Sequence, residues 1–206
     1  YRLVDNLGNP APAANTAITL QRGNGPPITK TGASLIPDFF PSTGSLQWSY
    51  DQHGEGWAVF YQLPEDLAYM VTVTFDGTPV GEATVDKLTH TIMEDLVLRI
   101  YKVKLVFVDC ENSPLSREAF VKVVPPSPAT PYVTQLDSTG ALDFGYLAGG
   151  QYTIDGVWWK GVWVKFTDAR IGDDTLPLNP DGSLTFTVDS NIDSPIKLTA
   201  LINDFI

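Results

Sequence analysis

The chain has 206 residues, long enough for one large or two small domains, and carries 13 Lys plus Arg against 24 Asp plus Glu, a net charge of -11. A field of that sign repels phosphate backbones and anionic lipid surfaces, which disfavours nucleic acid and membrane surfaces as partners. Only 18% of residues are charged, while 17 Gly and 16 Pro supply many turns, the composition of an all-β module rather than a helical enzyme. One cysteine, Cys110, closes no internal disulfide, so the fold must rest on its apolar core.

In chain order the first informative string is Leu3-Val4-Asp5-Asn6-Leu7-Gly8-Asn9-Pro10, followed by Ala17-Ile18-Thr19-Leu20. It returns about a hundred residues later as Phe107-Val108-Asp109-Cys110-Glu111-Asn112-Ser113-Pro114, followed by Ala119-Phe120-Val121-Lys122-Val123. Asp51 to Gly54, Leu63 and Tyr69 are likewise answered by Asp137 to Gly140, Leu147 and Tyr152. Self-similarity in fixed order over this length means one compact unit built twice, and it divides the chain into domains 1–100 and 101–206.

Between these strings the apolar residues alternate, which is the strand signature. Trp57, Val59, Tyr61 and Leu63 share one parity, as do Tyr69, Val71, Val73 and Phe75; so do Leu184, Phe186 and Val188, and finally Ile196, Leu198, Ala200 and Ile202. Asp76-Gly77, Thr139-Gly140 and Asp181-Gly182 supply turns, because Gly tolerates positive φ. Strand formers run almost unbroken from Leu96 through Val108, predicting one continuous strand across the junction. Domain 1 has only four residues before Asp5, so one edge of its sheet is expected to lack pairing that domain 2 obtains from Lys102 to Val108.

The pattern Val108-Asp109, Pro114, Ala119, Val121 and Val123, then Asp137-Ser138-Thr139-Gly140, Leu147, Gly150 and Tyr152, resembles transthyretin-like β-sandwiches. These include carboxypeptidase regulatory-like domains and the B-type repeats of bacterial collagen adhesins. The resemblance implies two tandem immunoglobulin-like (transthyretin-like) sandwiches in an exported surface protein, acting as stalk, pilus subunit or adhesive unit. The Lys–Asn cross-link of many adhesin repeats is not expected, because Leu3 and Phe107 stand where the lysine would be.

Three groups of residues bear on function. Trp159 and Trp163 fall on one face if Val157 to Phe166 is a single strand, and they are read as core plus a contact face for another subunit, rather than as a platform for a sugar ring. The apolar end of the chain, with Ile196, Leu198, Leu201, Ile202, Phe205 and Ile206, is a candidate assembly strand that completes a neighbouring subunit; the same residues also fit a last core strand. The acidic turns lack the alternating spacing of a calcium loop, and His53 and His90 lack zinc-ligand spacing.

No cofactor or metal is expected, and neither Gly-x-Ser-x-Gly nor His-Glu-x-x-His occurs. No apolar run is long enough for a membrane span, and the start has no basic, apolar leader, so an exported form would be the processed one. The reading is a non-enzymatic extracellular protein, the subunit of a pilus-like filament or cell-surface array made by strand contacts between like subunits. Its rivals are a carbohydrate- or ligand-binding module and the accessory region of an exported enzyme.

Overall fold

The computed structural model describes residues 1–31, 47–49, 57–61, 63–116 and 118–202. The chain is all-β, and it divides into two compact units, Tyr1–Ile100 and Tyr101–Ile206. Within unit 1, strands β1 (Arg2–Val4) and β8 (Asp95–Val97) pair in parallel. A four-stranded sheet runs in the order β3 (Ile28–Thr31), β2 (Thr16–Arg22), β6 (Tyr69–Phe75) and β7 (Thr78–Val85), and β4 (Gln47–Ser49) pairs with β5 (Val59–Tyr61).

Unit 2 holds two five-stranded sheets. One is β11 (Tyr132–Gln135), β10 (Phe120–Val124), β13 (Gly150–Trp159) and β14 (Val162–Val164), with β17 (Leu184–Val188) also on β13. The other is β12 (Ala141–Ala148), β9 (Ile100–Val108), β18 (Ile196–Ala200), β15 (Phe166–Ile171) and β16 (Asp174–Thr175). A single core lies between them, filled by Leu105 and Phe107 from β9, Val121 from β10, Ile154 from β13, Leu184 from β17 and Leu198 from β18. Alternation puts these side chains inward because successive residues of a strand face opposite ways.

The Asp5 and Asp109 loops match down to single hydrogen bonds. The Asp5 carboxylate accepts the amides of Leu7 and Asn9, both at 2.8 Å, and the Asp109 carboxylate accepts those of Glu111 and Ser113 at 2.9 and 2.8 Å. In both copies the Asp amide donates to the carbonyl four residues on, and the residue three on has positive φ: Gly8 at 82° and Asn112 at 68°. Glycine carries no steric cost there, and Asn is the side chain that best tolerates it. Pro10 and Pro114 then form bridges back to Val4 and Val108.

Tyr69 and Tyr152 also correspond. Each ring is buried, and each hydroxyl donates to a carbonyl shortly before it, Pro64 at 2.8 Å and Ala148 at 3.0 Å. Burial raises the Tyr69 phenol above its ordinary range. In unit 2 the Tyr152 ring stacks on Phe186 with centroids 6.1 Å apart.

One sequence expectation is corrected. The run from Leu96 to Val108 is not one strand: it breaks at Leu98 and Arg99, whose amides turn to the carbonyls of Val4 and Val80. The last stripe, Ile196 and Leu198, follows the other reading given for it, a core strand: β18 is paired in parallel with β9 on one side and antiparallel with β15 on the other. The Asp51 to Gly54 match lies outside the described residues.

Replacing Tyr152 by Ala removes a buried ring and its hydroxyl bond, so denaturant melts should show a loss of ~3–5 kcal/mol. Tyr152→Phe, which removes only the bond, should cost ~1 kcal/mol.

Candidate functional site

The aromatic segment of unit 2 folds as a hairpin rather than a strand. Lys160 and Gly161 both have positive φ, 46° and 90°, and Trp159 pairs with Val162 across them. This is the two-residue turn that matches the twist of a hairpin; Asp76-Gly77 makes the same turn between β6 and β7. The turn moves Trp163 opposite Trp158, not onto the face of Trp159. Expecting Trp159 and Trp163 to form one face is therefore wrong: Trp159 packs against the core under the Lys160 ammonium, 5.3 Å from its ring centroid.

Directly paired residues share a face, and the register places Phe120, Trp158 and Trp163 in one row across β10, β13 and β14. All three are exposed, at 37%, 36% and 47%. The two indoles meet edge to face, with centroids 5.5 Å apart and planes at 68°. Val133 of β11 and Val162 of β14, both well exposed, lie on neighbouring strands. Sequence reasoning missed Phe120 and Trp158; the signal that finds them is the Lys160-Gly161 turn, which resets the parity.

Beside the row a β-bulge aims a carboxylate outward. Lys122 pairs with Gly156 but Val123 with Ile154, so Asp155 is the extra residue of β13. Bulges re-aim side chains in this way. Its carboxylate meets Lys122 at 2.8 Å and Lys165 at 2.7 Å, and these hydrogen bonds hold it below the ordinary carboxylate range. Asp181 stands 3.8 Å from Lys165, and the Ser183 hydroxyl and amide lower its pKa.

The remaining predicted residues are at the end of the chain. Ile196, Leu198 and Ile202 are buried and belong to the core of unit 2, whereas Leu201 is exposed. Phe205 and Ile206 lie outside the described residues. In unit 1 a cavity of about 550 Å³ lies against the face of β2 and β6, lined by Leu20, Tyr69 and Val71 and by Tyr1, Leu88 and Ile92. Among the described residues no group of three or more His, Cys, Asp or Glu side chains could hold a metal ion, and no helix is long and apolar enough to cross a membrane.

No family model matches the chain, and no curated protein matches it. Among solved structures it is similar to GBS52, the minor pilin of Streptococcus agalactiae, at 15% identity and TM-score 0.36, over 93% of this chain and 85% of that one. It is also similar to a C-terminal fragment of the pilus adhesin SpaC from Lactobacillus rhamnosus GG, at 12% identity and TM-score 0.27, over 97% and 94%. Likeness at these scores fixes neither a family nor a function.

The carboxylates of Asp155 and Asp181 are depressed in the folded chain, so the stability they contribute is present above the unfolded carboxylate range and is lost as pH falls through their folded values. Thermal melts should therefore weaken on acidification below about pH 4. Asp155→Asn should flatten that limb, and an unchanged acid limb would show that the lysine contacts do not persist in solution.

Proposed function

We propose that the chain is a non-catalytic structural subunit of a pilus-like filament or cell-surface array, built as two tandem immunoglobulin-like units. The observation that carries this reading is the outward aromatic row of Phe120, Trp158 and Trp163. A contiguous apolar surface on a charged protein costs free energy in water unless a partner covers it, and buried Trp residues are the commonest anchors of protein interfaces. The 68° angle between the indoles favours a protein partner over a sugar. A pyranose stacks on one ring or on coplanar rings, and the edge-to-face pair offers no shared plane.

Sedimentation of the full chain tests the reading. The wild type should self-associate, and Trp163→Ala and Trp158→Ala should each weaken association at least ~10-fold, as removal of an interface anchor does. Because both rings are partly exposed, the melts of the variants should stay within about 1 kcal/mol of wild type. A wild type that stays monomeric, and binds a glycan that Trp163→Ala abolishes, would instead make the chain a carbohydrate-binding module.

A further inference from the structure

The two units diverge at one hydrogen bond. Arg99 donates to the Val80 carbonyl in unit 1, and its counterpart Leu201 donates to the Lys165 carbonyl in unit 2, at 2.9 and 3.0 Å. After Lys165 the chain crosses to the other sheet, where β15 runs antiparallel along β18, with Phe166 and Ala169 buried beneath. After Val80 the chain stays on its own sheet and continues along β6. It passes close to the Leu98 side chain there: a Cβ on Gly81 would stand 2.7 Å from Leu98 Cδ2. Strand β8 is the counterpart of β18, since each pairs in parallel with the strand that leads into the Asp loop. Among the described residues β8 has no hydrogen-bonded strand in the place that β15 fills in unit 2; β7 only passes close by, where Val80 accepts from Arg99 and a Cβ on Gly81 would stand 3.8 Å from the Val97 carbonyl oxygen.

The parallel register with β1 directs the amide of Leu98 to the Val4 carbonyl and the carbonyl of Glu94 to the Arg2 amide. The amides of Asp95 and Val97 therefore point to the other edge, and among the described residues neither has an acceptor. Val97 is exposed, and the cavity lined by Tyr69, Val71, Leu88 and Ile92 belongs to the same unit. A strand edge with unpaired amides is a site for strand addition.

We infer that β8 accepts an antiparallel strand from another polypeptide. Unit 2 shows the chemistry of that strand: an aromatic residue and a small apolar residue facing inward, as Phe166 and Ala169 do, and polar residues facing out, as Thr167 and Arg170 do. The site rests on the assembly reading above, for which it supplies a second kind of contact.

A synthetic peptide with the sequence of Lys165 to Ile171 serves as the probe, added to the full chain and followed by amide hydrogen exchange. In the free protein Asp95 and Val97 should exchange at least ~10-fold faster than Leu98, and saturating peptide should slow them at least ~10-fold, because edge amides lack protection until paired. A scrambled peptide should leave them unchanged. Val97→Pro removes an amide that bonds nothing among the described residues, so it should keep the melt and lose the peptide effect. The inference is overturned if Asp95 and Val97 are already as protected as Leu98, if the scrambled peptide acts equally, or if Val97→Pro binds like wild type. Trp163→Ala separates the two readings: peptide protection without self-association leaves the strand site standing, and self-association without peptide protection removes it.

Discussion

A short side chain closing a five-residue loop is the constraint on which both units depend. The carboxylates of Asp5 and Asp109 each accept two backbone amides inside the loop that follows, while the Asp amide and the carbonyl four residues on close the ring. Asp137 repeats the arrangement with Thr139 and Ala141, and these bonds, with that from the Thr139 hydroxyl, lower its pKa. Asn179 forms the same backbone ring to Ser183, with Asp181 capping the Ser183 amide. Each loop satisfies amides that would otherwise be stranded at the end of a buried strand, where an unpaired group costs ~1–3 kcal/mol. The loop also turns the chain back on itself, so that Ala11 and Leu115 can donate to Leu3 and Phe107.

With the loops fixed, the rest of each unit follows from alternation and from long-range pairing. The parallel contacts of β1 with β8 and of β9 with β18 close each unit by joining its first strand to its last. The units then differ in what lies beyond that last strand. Unit 2 returns β15 and β16 to cover it, and unit 1 spends the corresponding residues on a longer β7. At the point of divergence Gly81 lies close to the Leu98 side chain, where its counterpart Phe166 instead enters the core.

Much of this was legible in the sequence. The Asp-to-Pro spacing marks the loops because Asp, a positive-φ residue and Pro each have a local reason for their place. The parity of Tyr69 to Phe75 and of Leu184 to Val188 marks buried faces, and those residues are buried. Long-range facts were not legible. Periodicity says that Ile196 and Leu198 face a core, but not that β18 lies between two other strands, because pairing partners leave no mark on the strand's own pattern. The aromatic face was misplaced because Trp, Val and Phe on both sides of Lys160-Gly161 favour strand, and Lys rarely adopts positive φ. The run from Leu96 to Val108 conceals its break for the same reason: every residue near Leu98 and Arg99 fits a strand, although the strand is interrupted there.

The most direct measurement on the loop itself compares Asp109→Ala and Asp109→Asn in the full chain, by denaturant unfolding and by exchange of the Glu111 and Ser113 amides. Removing the carboxylate leaves both amides without their acceptor, so Asp109→Ala should cost ~1–3 kcal/mol and expose both to fast exchange. Asp109→Asn keeps a side-chain oxygen in place and should retain most of the protection. If Asp109→Ala unfolds at the wild-type midpoint with both amides still protected, the loop does not depend on its carboxylate, and the dependence of the units on these loops is refuted.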